Sequence, residues 1–129
     1  ITGAAGFLGS HLVYALMRRG HQHTRLLELF SGDTVVEISS VAWYEFSRGP
    51  RTPPQLAVAR SFFLPGGVLG FSEEIADRAA DLFRRLGSPR RRAGDVAIAA
   101  VAISRGATLL TNNSRDYDDI EGLIVEQSH

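Results

Sequence analysis

Short apolar blocks follow one another along the chain, and their period switches between that of a helix and that of a strand. The most apolar block covers residues 96–104, alanine-rich and apolar almost all round, which predicts a buried helix. Asp95 stands at its mouth, just after Gly94, and Arg105-Gly106 supplies a basic last turn and a C-terminal cap. Residues 107–111 (ATLLT) then read as a short strand that delivers Asn112, Asn113, Ser114, Arg115 and Asp116. An acid at the mouth of a helix and a polar loop at the carboxyl end of the next strand face one crevice, the place where open α/β sheets bind ligands.

The rest of the chain fits that frame. Residues 10–19 carry a helical stripe at Leu12, Val13, Leu16 and Met17, and residues 24–30 read as a short helix. Residues 34–39 (TVVEIS) are β-branched and predict a strand. Ser40 is expected to cap a helix that runs to about Arg48 and ends at Gly49-Pro50. Pro53 and Pro54 open another helix through Phe62 or Phe63, which Leu64-Pro65-Gly66-Gly67 breaks. Residues 68–71 form a brief strand. Ser72-Glu73-Glu74 starts a helix to Leu86 whose inward face is Ile75, Ala79, Leu82, Phe83 and Leu86. Leu123-Ile124-Val125 offers a last strand. Alternating strands and helices argue for an α/β fold, a parallel sheet with helices on both faces.

Composition narrows the function classes. A length of 129 residues fits one domain, and a hydrophobic fraction of 44% is that of a globular protein. The net charge is zero, so contact with nucleic acid requires a local patch, for which Arg90, Arg91 and Arg92 are one candidate. The absence of cysteine excludes disulfides and thiolate zinc sites. No apolar run approaches the roughly 20 residues of a membrane span, and no secretion signal is visible, so a cytoplasmic protein is expected.

The first residues, ITGAAGFLGSHLVYALMRRGH, space Gly3, Gly6 and Gly9 as a glycine loop that opens a helix and could cradle a pyrophosphate. This stretch resembles the start of the extended short-chain dehydrogenases of the nucleotide-sugar epimerase type. That resemblance implies NAD contacts at the three glycines, with Glu28 near the ribose acid. It covers about the first 28 residues. The strand that should precede the loop is reduced to Ile1 and Thr2, and a chain without lysine cannot supply the Tyr-x-x-x-Lys pair of those enzymes. The alternative is a glycine-rich segment leading into a helix.

From His23 to Glu126 the chain is similar to another family. SSVAWYEFSRGPR, followed by RRRAGDVAIAAVAISRGATLLTNNSRDYDDIEGLIV, resembles the PIN-domain ribonucleases, in particular the VapC-type toxins of toxin–antitoxin pairs. The resemblance implies a PIN-like α/β/α sandwich around a parallel sheet, Mg²⁺ or Mn²⁺ held by clustered acids, cleavage of RNA, a homodimer, and inhibition by a cognate antitoxin protein. Residue by residue it makes Glu45 the acid of the helix motif, Asp95 the acid opening the long helix, and Asp116 the acid of the T-x-N-x-x-D-F/Y motif, with Thr111 and Asn113 beside it. Hard divalent cations want oxygen ligands, which acids from three segments provide. Each residue also has a plainer role open to it: Glu45 as a solvent-facing acid, Asp95 as an N-cap, Asp116 and Asn113 as turn formers.

One departure is plain. The family's first strand ends in an aspartate that is the first metal ligand, and its place falls near Gly9 or Ser10. No acid occurs before Glu28. The chain thus reads as a dinucleotide-loop start joined to a PIN-like body, with an atypical or truncated first strand and a weakened metal site. Three functions are carried forward: an impaired metal-dependent ribonuclease, an NAD-binding epimerase fragment, and a catalytically dead PIN-like interaction module. Residues 62–71, rich in aromatic and apolar side chains, are the surface named for the last of these.

Overall fold

The computed structural model describes residues 5–8, 35–63 and 67–127. Five parallel strands form one sheet: β1 (Ala5–Leu8), β2 (Val35–Ser39), β3 (Val68–Leu69), β4 (Thr108–Thr111) and β5 (Ile124–Gln127). Their spatial order is β3-β2-β1-β4-β5. The chain therefore builds outward on one side of β1, then returns to build on the other, which makes the carboxyl end of β1 and β4 a topological switch point. In register, Leu8 lies opposite both Ile38 and Leu110, so β1, β2 and β4 end at nearly the same level.

This places β1 differently from the sequence expectation. The strand is not cut down to Ile1 and Thr2 but spans Ala5–Leu8 at the centre of the sheet, with Gly6 inside it and paired with Val36 and Thr108. A glycine weakens a strand interior, yet a central position pairs its backbone on both sides. Gly6 therefore cannot be the turn of a phosphate-binding loop. Gly3, Gly9 and the two helices expected over residues 10–19 and 24–30 lie outside the described residues, as does Glu28.

Four α-helices among the described residues follow the expected order: α1 (Ser40–Ser47), α2 (Pro53–Ser61), α3 (Glu73–Arg85) and α4 (Ala93–Arg105). Local chemistry sets their ends. Ser39, one residue earlier than expected, caps α1, its hydroxyl accepting from the Ala42 amide at 3.0 Å. Thr52 and Gln55 form a reciprocal capping box ahead of Pro53 and Pro54 in α2. Ser72 caps α3, with Glu73 and Glu74 in the first turn. Gly106 ends α4 in the left-handed region at φ 63°, where glycine carries no penalty.

The core is built from both faces of the sheet. Successive residues of a strand point to opposite faces, and Val36, Glu37, Ile38 and Ser39 in β2 are all buried, as are Leu109, Leu110 and Thr111 in β4. Helix α4 contributes Val96, Ile98, Ala99, Ala100, Val101 and Ala102 to this core, its alanines allowing close approach. The expected surface over residues 62–71 is mixed: Phe63 is buried, Phe62 packs against the core, and Phe71 is at the edge of exposure. Glu37 is the buried carboxylate of the sheet. Arg105 from the end of α4 grips it from the half-exposed side, at 2.8 and 3.1 Å.

Candidate active site at the carboxyl edge of the sheet

The acids singled out in the sequence sit on three elements that meet at this edge. β2 feeds directly into α1, which carries Glu45. Helix α4 starts at Ala93, with Arg92 in the cap position, so Asp95 is a residue of its first turn rather than its N-cap. There the helix dipole favours a carboxylate. β4 runs into the 3₁₀ turn Ser114–Tyr117, which holds Asp116.

Tyr117 ties the three together. Its hydroxyl donates to Asp95 Oδ1 at 3.2 Å. Burial first, then the charge of Asp95 and its hydrogen bond, then the charges of Glu45 and Asp116, push the phenol far above its ordinary value of 10.0. All three carboxylates thus act on one buried hydroxyl. Glu45 reaches Asp95's helix across Gly94: a methyl group there would come within 2.5 Å of Glu45 Oε2. Only a residue without a side chain leaves that space to the carboxylate.

The loop after β4 is braced at several points. Thr111, fully buried, accepts from the Asn113 amide at 3.2 Å, and the Asn113 side chain donates to Asp116 Oδ2 at 2.6 Å. Gln127 on β5 donates to the Asn112 carbonyl at 2.6 Å and accepts from the Ser114 amide at 3.0 Å. Arg92 closes the far side. Its guanidinium donates twice to Asp119, at 2.7 and 2.8 Å, and once to the Asp116 carbonyl at 2.8 Å. The hydrogen bond from Arg92 holds the Asp119 carboxyl below its ordinary range.

The convergence has a limit. Asp116 is exposed, and among the described residues no three Asp, Glu or His side chains form a ready-made metal cage. The sequence also puts Gly9 and Ser10, and no acid, directly after the central strand β1. Gly94, Arg92, Tyr117 and Gln127 are the site residues that sequence reasoning did not assign. Tyr117 was within its reach as the last letter of the T-x-N-x-x-D-F/Y motif. Gly94 was too, as the glycine adjoining Asp95.

The PIN domain family matches residues 9–123. The chain belongs to the PIN-domain family. The match begins inside the glycine-rich segment and runs through all three acids, so the dehydrogenase resemblance of the N-terminus finds no support. Solved structures extend the comparison over nearly the whole chain. VapBC2 from Rickettsia felis, bound to a DNA fragment from its promoter, is 25% identical with a TM-score of 0.73, covering 95% of this chain and 98% of that one. DNA-bound VapBC from Salmonella typhimurium is 24% identical with a TM-score of 0.74, covering 97% and 98%. A toxin–antitoxin complex from Klebsiella pneumoniae is 22% identical with a TM-score of 0.74, covering 96% and 98%. The last two speak to the PIN fold alone. A comparison with curated proteins gives no match. No helix among the described residues is long and apolar enough to cross a membrane.

Proposed function

We propose that this PIN-domain chain is a metal-dependent endoribonuclease of the VapC toxin type, weakened by the missing acid after β1 and held in check by an antitoxin protein. The observation that carries the reading is the meeting of three segments: Asp95 accepts from the Tyr117 hydroxyl, Glu45 lies against Gly94 beside Asp95, and Asp116 directly precedes Tyr117. Their oxygen-only donor set fits Mg²⁺ or Mn²⁺, which keep several waters and need one or two carboxylates from the protein. Burial, and after it the charges of Asp95, Glu45 and Asp116, hold the Tyr117 phenol protonated, and a divalent cation would offset that negative charge.

Glu45, Asp95 and Asp116 are the residues that would hold the metal. When bound, such a metal lowers the pKa of a coordinated water and stabilises charge on the leaving oxygen of a phosphodiester. The protein's own part is positional. Tyr117 fixes one oxygen of Asp95 and, remaining protonated, keeps its donor at neutral pH. Asn113 orients Asp116, and Thr111 fixes Asn113. The VapBC2 complex from Rickettsia felis supports an antitoxin partner, and a homodimer is part of the same reading.

A second reading has its own support. A PIN fold that lacks the first acid, with no three-acid cage among the described residues, also suits a catalytically inert module that binds an antitoxin. Calorimetric titration with Mn²⁺ and a cleavage assay on single-stranded RNA, each repeated on Asp95→Asn, separate the two. Mn²⁺ binding and cleavage that both vanish in the variant support the ribonuclease. A wild-type chain that neither binds Mn²⁺ nor cuts RNA leaves the inert module.

A further inference from the structure

Helix α1 carries more than Glu45. Its aromatic residues are Trp43, Tyr44 and Phe46, and each has an arginine laid over its ring: Arg60 at 4.7 Å from the Trp43 centroid, Arg48 at 5.5 Å from Tyr44, and Arg51 at 4.5 Å from Phe46. Phe46 is core, and its stack with Arg51 is internal packing. Tyr44 is different. It is 60% exposed, adjoins Glu45 in sequence, and has Arg48, itself exposed, over its ring.

Charge on this arm is one-sided. From Ser40 to Ser61 there are three arginines and a single acid, Glu45, which belongs to the candidate active site. Among the described residues the ion pairs engage Arg84, Arg85, Arg92 and Arg105, and neither Arg48 nor Arg60 has a carboxylate partner. Helix α3, by contrast, pairs its own charges, Asp81 with Arg84 and Arg85. On an α-helix, positions 44 and 48 stack one above the other, while 45 and 48 are three apart. Arg48, the C-cap of α1, therefore borders the exposed ring and stands three positions from the acid.

We propose that Tyr44 and Arg48 form a stacking platform for one unpaired base of a single-stranded RNA, with Arg48 and Arg60 contacting its phosphates, beside the acid site. The inference rests on the ribonuclease reading and names how that site takes hold of its substrate. Flat aromatic and guanidinium faces stack on any base once it is free of a pairing partner. Weakly hydrated guanidinium groups suit phosphate as well. A strand lying across α1 puts a phosphodiester within reach of Glu45, and the arginines offset the repulsion that three carboxylates exert on it. A protein partner would also cover an exposed tyrosine, but two arginines without acids to match favour a polyanion.

The test is fluorescence anisotropy in EDTA, so that cleavage does not consume the probe, with a labelled short single-stranded RNA and its duplex. Tyr44→Ala is expected to weaken single-strand binding by roughly tenfold, the worth of one base stack, while Tyr44→Phe keeps the affinity. Duplex binding should not respond to either variant. Arg48→Gln should reduce the dependence of log K on log salt by about one unit of slope. Because Tyr44 is exposed, its variants should melt with the wild type, which calorimetry checks. Wild-type binding that Tyr44→Ala leaves unchanged overturns the platform and spares the ribonuclease. So does an equal loss on single strand and duplex. A wild-type chain with no affinity for either RNA overturns both. A Tyr44→Ala variant that changes oligomeric state in sedimentation, with RNA affinity intact, makes the face a protein contact and refutes the proposal.

Discussion

Gly94→Ala separates stability from function at the candidate site. The added methyl group would lie 2.5 Å from Glu45 Oε2 and 3.6 Å from its carboxyl carbon. Restoring ordinary contact at about 3.4 Å pushes that oxygen back by about 0.9 Å. The obstacle is the far end of a flexible side chain, so the rotation is cheap. Alanine meanwhile favours the helix over glycine by up to about 1 kcal/mol, partly by restricting the unfolded chain. The variant should therefore be as stable as the wild type or slightly more so. Its chemistry should suffer, because a reacting group misplaced by roughly 1 Å can cost on the order of a hundredfold. Urea unfolding and Mn²⁺-dependent RNA cleavage on the same preparation give the two numbers. A Gly94→Ala enzyme that cuts at the wild-type rate would show that Glu45, where it lies against α4, takes no part in the reaction.

Four further outcomes follow from the same contacts. Tyr117 has a raised folded-state pKa, so its contribution to stability is intact below its ordinary 10.0 and lost as pH rises above it; urea unfolding between pH 9 and 11, expressed as a slope of up to about 1.4 kcal/mol per unit, should flatten in Tyr117→Phe. Arg105→Ala leaves the buried Glu37 carboxylate alone, and with Arg105 half exposed the loss should fall between the exposed and buried extremes, about 2 kcal/mol by urea unfolding; an unchanged midpoint would refute this. Arg92→Gln removes the clamp on the Asp116 loop, and calorimetry should find Mn²⁺ affinity down by roughly tenfold, as for other groups that orient metal ligands. Gly9→Asp, or Ser10→Asp, puts an acid back after β1 and should raise Mn²⁺ affinity by on the order of tenfold and speed cleavage; no gain in either variant would mean that the missing aspartate is not the weakness.

Much of the fold could be read from residue patterns because the signals were local. Ser72-Glu73-Glu74 and Pro53-Pro54 announce helix starts through their own backbone hydrogen bonds, and Gly106 announces an end through its φ. β1 could not be read this way. Four residues, AGFL, with a glycine inside, carry little strand signal, and what makes them a strand is pairing on both sides with β2 and β4, which are distant in sequence. The glycine spacing then suggested a loop where the sheet needs its centre. A period of three was real, but the sheet overrode it.

The acids were legible for a different reason from the residues that position them. Glu45, Asp95 and Asp116 are recognisable as chemistry, and their order along the chain matches a motif. Arg92, 24 residues from Asp116 in sequence, shows its purpose only when the loop folds back onto it. In the sequence it is one of three consecutive arginines, and its neighbours Arg90 and Arg91 are exposed. The same holds for Glu37 and Arg105, separated by 68 positions. Ligand identity is thus a local property of the chain, whereas ligand placement depends on long-range closure. It follows that substitutions at the clamp and at Gly94 should change how well the site works without changing which residues it uses. That distinction sets the Gly94, Arg92 and Tyr117 variants apart from Asp95→Asn, which removes a ligand outright.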